Sequence, residues 1–473
     1  MTARDDAYDA ALRELQLAVT AQRSGSHLPR LIALRQLADP ASAPLFRELV
    51  GHSEWPVQVH AVLALAELSA SRTIDETLTA GLGQQAQEAV TANAIDLKLI
   101  EPGQMQRLIA AGTLSPMPHL LLAGELLLRD IAIDPAPLRG WVESENLRQA
   151  CLSAALLARR GEAGVLDQVS ERLDALDPDR RLEHRLLLVE MIRQYRVKAG
   201  MDLLAAIVAG DEHRELTYRS VLAMLEIDQD RGLAAWRDQV GLSPEPRDAV
   251  RWGLLLAACD AAVPPAEFDR LAGVDDELTR AIVRVGRART GSGDLAAASI
   301  NLLVLDHRRS VDWAVRSLDD GDPEVARAVY GFLIDRLADE RPDSPTHIEL
   351  AVRASAALGR LDVEAVLSRL RAADDDGTMQ QAIMLGLFDV PDPRVGEAAG
   401  QLRRIGAGRA DSLALLLMAK HLPALAPEDL ETLGLIASGG STVADTLRVQ
   451  ASWLYLKHAG RLDDALRTIV PGD

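Results

Sequence analysis

Ten histidines are spread along the sequence, and two of them, His184 and His213, stand beside the acids Glu183 and Glu212. An imidazole next to a carboxylate suits metal binding or proton transfer, but these two pairs lie 29 residues apart. They share a site only if neighbouring repeats align them, and each is read as a surface histidine. Cys151 and Cys259 are 108 residues apart inside apolar runs, without paired ligands at metal spacing. They read as small buried hydrophobes in a reducing compartment, neither a disulfide framework nor a redox pair. Gly291-Ser292-Gly293 lacks the Gly-x-x-x-x-Gly-Lys pattern that cradles phosphate and follows no strand, so it reads as a loop. Asp374-Asp375-Asp376 lacks the ligand spacing of a calcium loop and reads as solvated. The tryptophans Trp55, Trp141, Trp236, Trp252, Trp313 and Trp453 are scattered, as expected of packing at corners between helices. No residue is therefore assigned a catalytic, cofactor-binding or metal-binding role, and no cofactor is expected.

The elements that would position a site follow from composition. At 473 residues the chain exceeds the ~250 to 300 at which a single core stops growing, so it divides or repeats. Hydrophobic residues make up 48% and aromatics only 3%, so the core consists of many small aliphatic side chains, as in thin helical layers. The formal charge of -19, from 70 acids and 51 bases, opposes the approach of phosphate backbones, and no nucleic-acid partner is expected. The longest basic clusters, His307-Arg308-Arg309, Arg159-Arg160, Arg180-Arg181 and Arg403-Arg404, read as solvated helix ends. The opening MTARDDAYDAALRELQ is acidic and amphipathic, unlike a signal peptide, and no run approaches the ~20 apolar residues that cross a bilayer. A cytoplasmic protein without membrane insertion is the expectation.

Self-similarity recurs at about 30 residues. Its clearest copies open with an acidic or hydroxyl cap and continue into an Ala-rich helix: SEWPVQVHAVLALAEL from Ser53, SENLRQACLSAALLA from Ser144, DPEVARAVYGFLIDRL from Asp322 and DPRVGEAAGQLRRIG from Asp392. Val57, Leu147, Val325 and Val395 anchor these copies. Helical spacing sets Val57, Ala61, Leu65 and Leu68 on one buried stripe, and Val325, Val329, Phe332 and Leu333 on another. A second amphipathic segment precedes a cap in each case, Leu45–Val50 before Ser53 and Val311–Val315 before Asp322. In Asp322-Pro323 and Asp392-Pro393 the carboxylate accepts hydrogen bonds from first-turn N–H groups, and Pro presets φ where no donor is needed. Strand and hairpin signals are nearly absent.

Breaks fall at Gly291-Ser292-Gly293-Asp294, at Glu340–Pro345, at Asp374–Gly377 and at Gly439-Gly440-Ser441, each short enough to be a loop between repeats. The first is the best flexure between an N-terminal array, residues 1–290, and a C-terminal array, residues 295–473, continuous with it.

Ser144-Glu145-Asn146-Leu147-Arg148 resembles the Asp-x-x-Val-Arg opening of the second helix in short bacterial HEAT repeats, the group that includes bilin-lyase-like repeats. The Arg position holds Gln58, Ala326 and Gly396 in the other copies, so an Asp-Arg ladder between repeats is incomplete. Trp453-Leu454-Tyr455 through Gly460 and Ala465 resembles a single tetratricopeptide unit. The HEAT resemblance implies an all-α, right-handed α-solenoid of HEAT-like antiparallel helix pairs, armadillo-like, of about fourteen pairs between residues ~30 and ~465. It also implies a non-catalytic scaffold for protein partners. The alternative is an enzyme or enzyme subunit, lyase-like or resembling nucleic-acid repair, with a site assembled from several repeats. Metal-dependent hydroxylases of this repeat class carry His-Glu dipeptides around two irons, and no histidine here is followed by Glu.

Overall fold

The computed structural model describes the chain apart from residues 1–2, 21–27, 70, 75–80, 211–212, 243–245, 259–262, 306–317, 319–320, 340–344, 373–376, 406–410, 440–443 and 471–473. The described residues are helical, with no strand among them. Helices α1 (Ala3–Thr20), α2 (Leu28–Gln36), α3 (Ala43–Val50) and α4 (Trp55–Leu68) open the chain. There follow α5 (Gln84–Asp96), α6 (Pro102–Ala110), α7 (Pro116–Leu128), α8 (Ala136–Val142), α9 (Leu147–Arg159), α10 (Val165–Asp174) and α11 (Pro178–Gln194). Next come α12 (Met201–Gly210), α13 (Arg214–Ile227), α14 (Gln229–Leu242), α15 (Pro246–Ala258), α16 (Pro265–Asp269), α17 (Glu277–Arg289) and α18 (Leu295–Val304). The remainder is α19 (Pro323–Asp339), α20 (Pro345–Leu361), α21 (Val363–Ala372), α22 (Gly377–Leu387), α23 (Pro393–Ile405), α24 (Asp411–His421), α25 (Pro427–Ser438), α26 (Asp445–His458) and α27 (Leu462–Ile469).

Two compact units emerge. Residues 79–298 form one, and residues 1–78 together with 299–473 form the other. This grouping differs from a division at 290/295 because the N-terminal helices pack on the C-terminal ones: α1 lies on α25 and α26, and α2 lies on α26.

In the unit of residues 79–298, sequential helices pair and every second helix packs on the next, α5 on α7, α7 on α9, α9 on α11 and α11 on α13. Helix α9 shows why. Its residues from Gln149 to Ala158 are all buried, and a helix apolar on all sides needs neighbours on all sides. At its last turn Arg159 donates to Leu127 O from Nε (3.1 Å) and Nη2 (2.9 Å), and to Tyr195 O from Nη1 (2.6 Å). One guanidinium thus satisfies carbonyls at the ends of α7 and α11, where helices leave acceptors unpaired and the dipole favours a cation. Arg159→Ala is expected to cost about 1–3 kcal/mol, with Arg159→Lys intermediate because it keeps charge but loses the fork. Hydrogen exchange at the ends of α7 and α11 checks this.

The second unit repeats that device across a gap in sequence. Helices α20, α22, α24 and α26 pack in series, and α2 then α4 continue the series beyond α26. Lys420, at the end of α24, donates to Phe388 O (2.6 Å) after α22 and to Gln36 O (2.8 Å) ending α2. Beside it Asp39 accepts from Trp453 Nε1 (3.0 Å), Lys457 Nζ (2.8 Å) and Ala41 N (3.1 Å), and Gln450 Nε2 donates to Ala33 O (3.0 Å). The two chain segments thus meet through the same end-of-helix contacts that join consecutive helices elsewhere.

Several of the polar pairs that cross between helices are 29 to 36 residues apart, as in Arg231–Asp202, Arg35–Glu67, Arg193–Glu226 and Arg159–Tyr195, while others, such as Arg139–Glu162 and Arg148–Glu88, are closer or farther apart. The 29 to 36 residue pairs lie near the interval of about 30 read in the sequence.

The anchors Val57, Val325 and Val395 are buried, while Leu147 is half-buried against its core. Asp322 Oδ1 accepts from Glu324 N (2.8 Å) and Val325 N (3.2 Å), and Asp392 Oδ1 from Arg394 N (2.9 Å), as the Asp-Pro reading requires. Elsewhere the caps shift. Glu54 precedes α4 without a side-chain cap bond, and Asn146 rather than Ser144 caps α9. Leu65 and Leu68 are only half-buried, because α4 turns Val62, Leu63 and Ala66 into the core with Val57 and Ala61.

Two of the basic clusters are not solvated ends. Arg159 is the clasp just described, and Arg403, largely buried, pairs with Asp411 (2.9 Å) and Asp429. His307–Arg309, Val311–Val315, Cys259, Glu212 and Asp374–Asp376 lie outside the described residues, as does most of the break at 340–345.

Candidate functional site

Within the unit of residues 79–298, helices α12, α13 and α14 leave an open groove of about 640 Å³. Its walls are small and aliphatic, Ala205, Val208 and Ala209 on α12 and Ala234 and Ala235 on α14, and its floor includes Thr217 and Met224 of α13. Arg214, Arg231 and Arg251 line it with Trp252, Asp238 and Gln239.

The local sequence builds this arrangement. Gly232 at the start of α14 lets that helix lie against the α13 backbone: a Cβ there would stand 2.4 Å from Leu225 N and 2.5 Å from its Cα. Trp236, one turn on, is fully buried and donates its indole N–H to Trp252 O (3.1 Å), fixing α14 to α15. Trp252 in turn stands 5.7 Å from the Tyr218 ring, and Arg251 lies 4.5 Å over that ring while bonding Glu215 (2.5 Å). Aromatic support and a carboxylate therefore hold the Arg251 guanidinium in one orientation. Arg231 reaches across from α14 to Asp202 of α12 (2.8 Å), bridging the groove at one end.

Chemically, the ionisable groups lining this groove are three arginines and one aspartate. A guanidinium stays protonated at any ordinary pH, so the three arginines do not exchange protons, and Arg231 and Arg251 bind the chain's own carboxylates, Asp202 and Glu215.

The residues singled out by type do not gather here. His184 bonds the carbonyl of Arg180 one turn back in its own helix (2.7 Å), and a ring nitrogen of His213 accepts from Glu215 N (3.2 Å), capping α13. Among the described residues no three His, Cys, Asp or Glu side chains are placed to hold a metal. Cys151 is buried in α9, and that burial pushes its thiol up to about 12, far from a reactive thiolate. Trp236, Trp252 and Trp453 are buried packing residues, and Trp141 meets His119 edge-on at 5.0 Å. Trp55 departs from that role, being 44% exposed at the start of α4; Trp313 lies outside the described residues.

The groove itself was missed at the level of sequence. The signal that marks it is α12, MDLLAAIVAG, which is apolar on nearly every side yet buries only Met201 and Leu204. Searches with the chain against protein-family models, curated proteins and solved structures return no match.

Proposed function

We propose that this chain is a non-catalytic scaffold, a right-handed α-solenoid of HEAT-like helix pairs that binds protein partners in the cytoplasm. The observation that carries this reading is the groove of α12, α13 and α14, whose apolar walls and fixed guanidinium groups suit recognition of a side-chain surface. Two further features support it. Helices repeat at an interval near that of the sequence motif, and no helix among the described residues is long and apolar enough to cross a membrane. The net charge of -19 favours protein over nucleic acid as the partner.

Affinity purification of the chain from its native cells after mild cross-linking, followed by mass spectrometry, tests the reading. A stoichiometric protein partner is expected. Recovery of the chain alone, or retention of duplex DNA at physiological salt, would sink it.

A further inference from the structure

We infer that α1 is a strap: a helix that leaves α25 and α26 while α2, α26 and the rest of their unit stay folded, and so covers or bares the face on which it lies. This goes beyond the scaffold reading and does not depend on the groove.

Apolar contacts attach α1 lightly. Among its described side chains Ala11, Leu15 and Ala18 alone are buried, two of the three being alanines, and Leu17 is 46% exposed. Helix α26, on which it lies, buries every residue from Val449 to Leu456. Apolar stabilisation scales with the area removed from water, so α1 draws far less of it than its seat does. Its main neighbours are α25, α26 and α27, with α2 the one neighbour from its own stretch of chain. Gly434 of α25 admits it to that seat, because a Cβ there would stand 3.2 Å from Ala7 Cβ.

The polar contacts are arranged so that release strands no charge. Glu14 of α1 pairs with Arg30 of α2 (3.5 Å) and with Arg448 of α26 (3.3 Å). Asp445, in the first turn of α26, pairs with the same two arginines, with Arg30 at 2.7 Å and with Arg448. The four groups form a ring of alternating sign across three helices. When α1 departs, Glu14 passes into water and both arginines keep Asp445, so the uncompensated cation that makes breaking a buried pair costly does not arise. Tyr8, with the Arg461 guanidinium 4.0 Å over its ring, adds a contact whose two partners both regain water. Helix α2 has no such exit, since moving it strands the buried Trp453 indole N–H that Asp39 accepts. A weakly held helix thus lies beside firmly held ones, the arrangement in which one segment opens below the global stability.

Off its seat, a helix of 18 residues is marginal in water, so release lays its amides open to exchange. Hydrogen exchange read by mass spectrometry on the full chain measures this. In wild type, residues 3–20 are expected to exchange at least about tenfold faster than residues 28–36 and 445–458. Glu14→Ala should speed residues 3–20 by a further factor of about ten and leave the other two segments unchanged. Asp445→Asn separates the strap from an ordinary surface pair. Asp445 repels Glu14 and shares its arginines, so removing its charge leaves Glu14 as the ring's one carboxylate and should slow exchange of α1 by about threefold or more.

A common exchange rate for the three segments in wild type would overturn the inference. So would loosening of α2 or α26 by Glu14→Ala to the same degree as α1, which would make the ring part of one cooperative core. Faster exchange of α1 in Asp445→Asn would also overturn it, because Asp445 would then hold the helix down instead of competing with Glu14.

Discussion

Replacing Asp39 with Ala is expected to loosen α2 and α26 together, although more than 400 residues separate the groups it joins. Asp39 is 8% exposed and receives Trp453 Nε1, Lys457 Nζ and Ala41 N. Its loss strands the fully buried indole N–H of Trp453, whereas Lys457, half-exposed, regains water. The stranded donor and the lost charge-assisted bonds together cost about 2–4 kcal/mol. Hydrogen exchange read by mass spectrometry should show faster exchange in residues 28–36 and 445–458, with α9 unchanged. Trp453→Phe, which keeps most of the ring but lacks the N–H, should give a smaller effect in the same peptides. Unaltered protection in both would show that Asp39 does not join these helices.

Two buried groups, His421 at the end of α24 and Asp39 at the junction, carry an acid dependence. Burial lowers the His421 imidazole to about 4, and the Lys420 cation adds to this. At pH above its ordinary 6.5, His421 is neutral whether folded or not, and its full contribution is present. As pH falls below that value the unfolded chain takes up a proton that the fold resists, so stability is lost between 6.5 and about 4. For Asp39, burial alone would raise the carboxyl, but hydrogen bonds from Lys457, Trp453 and Ala41 outweigh it and hold the group below its ordinary 3.8. Its contribution is present above that value and is lost as pH falls through the lowered one. Wild type should therefore lose stability in two stages on acidification, the first with His421 and the second with Asp39, and Asp39→Ala should show only the first.

Val325→Asp is expected to open a larger region. Val325 is 1% exposed, directly after the Asp322 cap, and α19 packs on α20 and α22. A carboxylate placed there has no partner and costs several kcal/mol, on the order of 3–5 by comparison with other uncompensated buried charges. In a linear array the defect would spread from residues 295–370 and leave Val57 protected. The structure adds a second route, because α4, which holds Val57, belongs to the same unit through α2 and α26. Faster exchange in α19, α20 and α22 is expected first, with α9 in the other unit protected. Uniform loss across both units, or no loss in α19, would remove Val325 from the core.

Much of this was legible in local sequence. Helix content, the interval near 30 residues and the Asp-Pro caps at Asp322 and Asp392 depend on neighbours within a few positions, where spacing and hydrogen-bonding groups determine the outcome. The anchors Val57, Val325 and Val395 were legible for the same reason, since an apolar residue just inside a cap faces the partner helix.

Tertiary structure decided the rest. Arg159 and Lys420 look like ordinary basic helix ends, and only the convergence of neighbouring helix ends turns them into clasps for carbonyls. Asp39 sits in an unremarkable Ala-Asp-Pro turn; its buried role exists because Trp453 and Lys457 arrive from the far end of the chain. The groove is the extreme case: α12 carries its apolar residues openly in sequence, but whether such a helix is enclosed depends on how closely α14 approaches. That spacing is set by Gly232 against Leu225 and by Trp236 against Trp252, contacts between separate helices that no pattern within one of them encodes.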